Sequence, residues 1–324
     1  MKKSLLALAV LSAFAGAASA QSSVTLSGGV DAAIQRTNGA WNMSTGNSGR
    51  TNFTLSGRED LGGGMYAFFA LNYRFNQGTG QTTTTASPSQ FFRQDWIGLG
   101  GAFGDVRLGR MLPALQEFNG GFDPFGTETI GSTHTGGLNA GLAGNARINN
   151  AIYYRSPSLG GLSVHANIAA ADQQIGGSST ANFTNGTERP VGLAVSYAGG
   201  PLRFAVAYDR NARDQKTKGL YGGFNAGFAD FMFQWENGDI SATTDQSIWS
   251  IGARVPLGAA TAKFGYRNST DAKQKKLAAG LDYSLSKRTI VYTDVAKQSG
   301  SGFVGASGDL AKKAQFDVGI WHKF

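Results

Sequence analysis

Arg50–Phe75 reads RTNFTLSGREDLGGGMYAFFALNYRF, and the alternation within it decides the fold. Phe53 and Leu55 fall on one side of a strand, with Asn52, Thr54 and Ser56 on the other. After Glu59-Asp60-Leu61-Gly62-Gly63-Gly64, the residues Met65, Ala67, Phe69, Leu71, Tyr73 and Phe75 form a second apolar face, which turns Asn72 and Arg74 to the opposite side. A two-residue period with one greasy face is the signature of a half-buried β-strand. A glycine-rich turn that tolerates positive φ joins two such strands into a hairpin.

The same unit recurs along the chain. Short turns are expected at 100–105, 158–161, 198–201, 225–230, 256–259 and 284–287, which with the first makes seven. Longer polar connections fall near 37–50, 76–90, 111–147, 172–188, 211–218, 238–246, 269–275 and 298–312. Seven short turns alternating with eight long loops require sixteen strands, the pattern of an antiparallel transmembrane β-barrel. Faces such as Leu162/Val164/Ala166/Ile168, Val191/Leu193/Val195/Tyr197 and Leu277/Ala279/Leu281/Tyr283 are expected to meet hydrocarbon. Alternation alone also fits a soluble β-sandwich; the number of runs and the start of the chain favour the barrel. The segment around Ile290–Val295 carries mixed residues on both faces and does not fix its own orientation.

That start, Met1-Lys2-Lys3 followed by apolar Leu5–Ala17 and the small-residue site Ala18-Ser19-Ala20, has the order of a secretory signal. Residues 1–20 are therefore expected to be removed, leaving a domain of residues 21–324 with 27 Lys and Arg (29 less Lys2 and Lys3) against 21 Asp and Glu. Charged residues make up only 15% of the chain, and 47 of 324 residues are glycine, both suited to a wall that is apolar on one side. Cysteine is absent, which removes disulfides, thiol nucleophiles and thiolate metal sites from consideration. No metal-ligand spacing, phosphate loop or G-x-S-x-G elbow occurs, so no cofactor, metal or enzymatic role is expected. His165 reads as a lumenal lining residue. A modest basic excess on an exported chain points to a pore or a lipid surface rather than to nucleic acid.

One stretch breaks the pattern. Leu108–Asn150, LGRMLPALQEFNGGFDPFGTETIGSTHTGGLNAGLAGNARINN, has no period, and a connection that long needs a purpose. It is read as a constriction loop, about 111–147, folded into the lumen.

Several motifs together resemble the trimeric general porins of Gram-negative outer membranes, most closely the anion-selective β-proteobacterial group. They are Gln21-Ser22-Ser23-Val24-Thr25-Leu26, the turn at 59–64, Phe103-Gly104-Asp105-Val106-Arg107-Leu108-Gly109-Arg110, Ile152-Tyr153-Tyr154 before Ser156-Pro157, and His322-Lys323-Phe324. The resemblance implies a sixteen-stranded barrel in the outer membrane, surrounded by its lipid, with the third loop in the lumen. It also implies a homotrimer packed through the strands nearest the N-terminus and that loop; the apolar residues Phe91, Phe92, Trp96 and Ile97 fit such a contact. In the family, wall arginines face acids on the third loop. The matching positions here are Arg93 and Arg147 for the wall and Asp123, with Glu117 before it, for the loop. Asn52 stands where relatives carry an arginine, and Arg74 on the neighbouring strand takes its place. Phe324, closing an alternating strand, fits the signal read by the barrel assembly machinery.

The function expected is passive diffusion of ions and small hydrophilic solutes with a preference for anions. The alternative is a substrate-specific channel with a solute-binding site at the constriction.

Overall fold

The computed structural model describes residues 22–37, 39–44, 51–76, 78, 80, 92–126, 129–133, 147–170, 188–241, 244–271, 273–300 and 314–324. The signal-like segment 1–20, Arg50, Phe91 and the distal part of the constriction loop, 134–146, lie outside the described residues.

The strands are β1 (Ser23–Thr37), β2 (Ala40–Ser44), β3 (Asn52–Gly62), β4 (Met65–Arg74), β5 (Gln94–Gly101), β6 (Gly104–Met111), β7 (Ile148–Arg155), β8 (Leu162–Ala169) and β9 (Val191–Gly199). The remainder are β10 (Leu202–Arg210), β11 (Lys216–Asn225), β12 (Asp230–Ser241), β13 (Thr244–Leu257), β14 (Ala260–Ser269), β15 (Gln274–Ser284), β16 (Thr289–Ser299) and β17 (Ala314–Lys323). Between β6 and β7 lie a single helical turn, α1 (Gln116–Asn119), and a 3-10 turn, Gly120–Phe122.

All neighbours pair antiparallel, and β1 closes on β17 from Gly29 opposite Lys323 to Arg36 opposite Phe316. Seventeen segments make sixteen staves, because β2 and β3 share one edge of β1. Residues 33–37 of β1 pair with β2 and residues 23–29 with β3. The first connection, expected to span 37–50, thus contains a strand of its own. Other connections are also shorter than expected: β12 runs to Ser241 and β13 starts at Thr244. Polar alternation continues the ladder past the apolar band, since backbone pairing does not depend on side-chain greasiness.

Side-chain burial is the inverse of a soluble protein's. Leu26, Ile34, Ile97, Leu193, Val206 and Leu277 are exposed, while Asp31, Asp209, Glu236, Lys263, Asp294 and Asp317 are buried. This matches a wall whose outer face meets lipid and whose inner face carries the charge. It settles the segment whose facing was open in sequence: Tyr292 and Asp294 point inward, the tyrosine hydroxyl donating to Asp31 Oδ1 at 2.6 Å. Trp96 also points inward, packed against the core formed with the start of the β6–β7 connection, so it is not part of an outer apolar patch beside Ile97. The parity of β5 decides this: Ile97 and Leu99 are exposed, and Trp96 alternates with them.

At the seam, Phe324 N–H donates to Gly28 O at 3.0 Å and Gly28 N–H donates to Phe324 O at 3.1 Å. Phe324 therefore extends the closing ladder by one pair. Deleting it is expected to lower the amount of folded, heat-modifiable protein in the outer membrane while export continues. Unchanged amounts of assembled barrel in the deletion strain would count against this role.

Candidate functional site

The described part of the β6–β7 connection lies along the inner wall. Ala114 N–H donates to Asn167 Oδ1 at 2.8 Å and Leu115 N–H to Asp209 Oδ2 at 3.3 Å, tying the start of the segment to β8 and β10. The ring of Phe118 meets His165 edge-on at 5.1 Å, and Phe122 lies 5.7 Å from the Tyr221 ring. Beyond the 3-10 turn the chain reaches β13 to β15. Arg254 Nε donates to Pro124 O and Lys276 Nζ to Ser132 O, each at 2.6 Å. Glycines let the backbone come this close: a Cβ at Gly252 would stand 2.2 Å from Pro124 Cγ, and one at Gly265 2.8 Å from Thr133 Oγ1. A segment held by inner side chains from β8 to β15 occupies the bore rather than the rim.

Within this loop Asp123 departs from the expected pore-facing acid. It is fully buried, and its Oδ1 accepts from Phe125 N–H, Thr133 N–H and Thr133 Oγ1 at 3.2 Å while Oδ2 accepts from Ser132 Oγ at 2.6 Å. Its carboxylate folds the loop on itself, and Arg267 of β14 and Lys276 lie within its Coulombic reach. Lys276 itself reads in sequence as part of a solvated lysine run, but it is buried on β15. Every second residue of β15 faces the lumen, and the loop covers it there.

Glu117, on α1, faces the bore. Enclosure by the surrounding barrel raises its carboxyl above the ordinary value, and the guanidiniums of Arg107, Arg155 and Arg147 pull it back. Arg147 immediately precedes β7 and is part-exposed, so the structure brings Arg147 and Glu117 together. Arg74 ends β4 opposite Asn52, on the face of Asn72, whose amide donates to Asn52 Oδ1 at 3.1 Å and Thr54 Oγ1 at 2.8 Å. Arg93 sits one residue before β5, its N–H donating to Asn72 O at 2.8 Å. The ladder begins at Gln94 opposite Asn72, so strict alternation does not govern Arg93.

The inner wall also holds Asp105, Arg107 and Asp294, which the sequence reading did not place, paired with Arg155, Lys263 and Asp282, whose alternation puts them inward. Asp105 receives Arg107 Nε on one oxygen and Arg155 on the other, both pairs at 2.8 Å. Lys263 bridges Asp282 at 2.5 Å and Asp294 at 3.0 Å. Their signal was present in the alternation of Asp105 with Arg107 and of Asp294 with Tyr292. His165 spends its two ring nitrogens on the Tyr153 hydroxyl at 2.9 Å and Ser196 Oγ at 3.1 Å, as a lining residue would.

A closed antiparallel wall with apolar residues outside, charges inside and a chain segment along the bore is a transmembrane channel. The model of the Gram-negative porin family matches residues 7–302, and the chain belongs to that family. It is 32% identical to outer membrane porin protein 32 of Delftia acidovorans and 27% identical to an outer membrane porin protein of Bordetella pertussis, with the whole of each chain covered. An anion-selective porin from Comamonas acidovorans superposes with a TM-score of 0.77 at 26% identity, covering 94% of this chain and 100% of that one. This chain is thus an outer-membrane porin.

The raised carboxyl of Glu117 gives a pH dependence with a definite sign. As pH falls, this group gains its proton above 4.5, the ordinary glutamate value, and a negative charge leaves the bore. Preference for anions should therefore rise on acidification in the wild type. Glu117→Gln should start more anion-preferring at neutral pH and lose that part of the rise. Reversal potentials measured across the same salt gradient at successive pH values check this, and superimposable profiles would count against it.

Proposed function

We propose that this porin is a general diffusion channel for ions and small hydrophilic solutes, that it prefers anions, and that it works as a homotrimer. The observation that carries the ionic preference is the imbalance of charge beside the loop. Asp105 is already neutralised by two guanidiniums, Asp123 is turned into the loop, and Glu117 stands among Arg107, Arg155 and Arg147. Guanidinium is never deprotonated and is weakly hydrated, which suits a permanent field in a narrow aqueous gap. A unit charge about 8 Å from a passing ion contributes roughly 2 kcal/mol at an effective dielectric of 20. Salt screens such a field over about 10 Å at 0.1 M. The name of the Comamonas acidovorans relative, an anion-selective porin, agrees in direction.

Arg74, Arg93 and Arg147 are the wall cations we assign to the constriction. Replacing all three by glutamine should move the channel towards neutrality or cation preference while leaving it open, and the wild-type preference should weaken as salt is raised. Reversal potentials in a planar bilayer read both effects. A wild-type channel that prefers cations at about 0.1 M salt, or a triple variant with an unmoved reversal potential, would overturn the assignment.

The trimer rests on the outer wall. Asp95 and Arg110 face each other across β5 and β6 on the outward parity of Ile97 and Leu108, and Arg110 bonds Asn149. Charges on the lipid face of a barrel are destabilising in a depth-dependent way, so a protein neighbour suits this patch better than hydrocarbon. Mass measurement after mild detergent extraction should give three chains per particle, and a monodisperse monomer would refute it.

A further inference from the structure

One strip of the inner wall, between the 62–64 turn and the loop, is lined with rings. Tyr66 and Phe68 on β4 have centroids 5.4 Å apart, and Trp96 on β5 follows 5.2 Å from Phe68. The rings of Tyr66 and Phe68 lie over glycines of the neighbouring strand: a Cβ at Gly100 would stand 2.2 Å from Tyr66 Cζ, and one at Gly98 2.8 Å from Phe68 Cε1. With no side chain beneath them they lie against the wall, and all three rings are part-exposed. Trp96 packs against the cluster that anchors the constriction loop, so the strip leads from the turn end of the bore up to the narrowing.

Each end of the strip carries a cation. Arg107 lies 4.9 Å from the Trp96 centroid, but its charge is spent on Asp105. Arg58 is different. It stands opposite Phe68 in the β3–β4 ladder, its guanidinium 3.4 Å from the Tyr66 centroid. It is exposed and makes no ion pair among the described residues. One face of this guanidinium is stacked, and its N–H edge remains free to meet an anion.

We propose that Arg58, Tyr66, Phe68 and Trp96 form a subsite for small planar aromatic carboxylates passing through the bore. The inference rests on the diffusion-channel reading above. A carboxylate matches the forked donors of arginine, and the ring joined to it can stack on the neighbouring aromatic faces. An aliphatic anion gains only the first contact and a neutral ring only the second. The strip would hold aryl carboxylates on the wall on the turn side of the constriction, raising their local concentration beside the cations that draw anions through.

The test uses benzoate, with cyclohexanecarboxylate as a probe of the same charge and similar size but no aromatic face. Single channels in a planar bilayer are titrated with each probe at constant ionic strength, and the half-blocking concentration is read against each channel's own open conductance in KCl. Benzoate should block at a concentration about fivefold lower than cyclohexanecarboxylate, the scale of one aromatic contact. Phe68→Leu should remove most of that advantage, Phe68→Tyr should retain it, and Arg58→Gln should weaken block by both probes. Equal block by the two probes in the wild type overturns the proposal, as does a benzoate advantage that survives Phe68→Leu. Block weakened by Arg58→Gln alone reduces Arg58 to an ordinary anion contact and also overturns it. A wild-type channel with no KCl conductance is a separate outcome, since it would refute the diffusion reading itself.

Discussion

Inside hydrocarbon there is no water to accept an unpaired N–H or donate to an unpaired C=O, so a sheet that spans the membrane must have no edge. The pairing of β1 with β17 meets that requirement, and the reciprocal bonds between Gly28 and Phe324 complete it at one end. Everything else follows from closure. A closed wall has an inside, alternation sorts residues between the two faces, and a connection too long for the rim has an enclosed space to enter. The split second stave shows how strictly closure is kept: β2, ending at Ser44, and β3, starting at Asn52, both pair with the same edge of β1.

The charges on the inner face are not scattered. Arg203 is held in a fork by Asp230 at 2.7 and 2.9 Å, Lys263 by Asp282 and Asp294, and Asp105 by two arginines. Taking an ion from water is expensive unless a partner and hydrogen bonds compensate, and away from open water the wall supplies those partners. Close to the loop, acids are instead turned into structure. Asp123 accepts bonds from its own segment, and Asp317 accepts the N–H groups of Asp294 and Ile130. Carboxylates used in this way serve as acceptors for the protein's own N–H and hydroxyl groups.

Much of this was legible in sequence, for a physical reason. A strand between lipid and water must alternate, so the hairpin at 50–75, the seven turns and most outward faces could be read directly. The long connection between β6 and β7 was legible as a break in that rhythm. What stayed hidden was whatever periodicity does not encode. Around Ile290–Val295 both faces carry apolar and polar residues, and only the register to β17 shows Asp294 opposite Asp317. Lys276 looked like one more lysine in an external run because the loop that covers it is more than a hundred residues away in sequence. Asp123 was placed on the right segment, but the direction of its side chain depends on Ser132 and Thr133, which the sequence offers as unremarkable polar residues. The likeness to known porins supplied candidate arginines, whereas the partnership of Arg107 and Arg155 with Asp105 emerged only from the packed wall.

Arg254 carries two duties at once: it adds positive charge to the inner wall, and it grips the loop carbonyl of Pro124. The charge of the inner wall and the seating of the loop are therefore linked traits in this protein. A lineage drifting towards another solute cannot remove that charge from β13 without also loosening the segment it holds. The freer variables are cations such as Arg58, whose loss would leave the architecture standing, and adaptation of the permeation path is expected to accumulate there first.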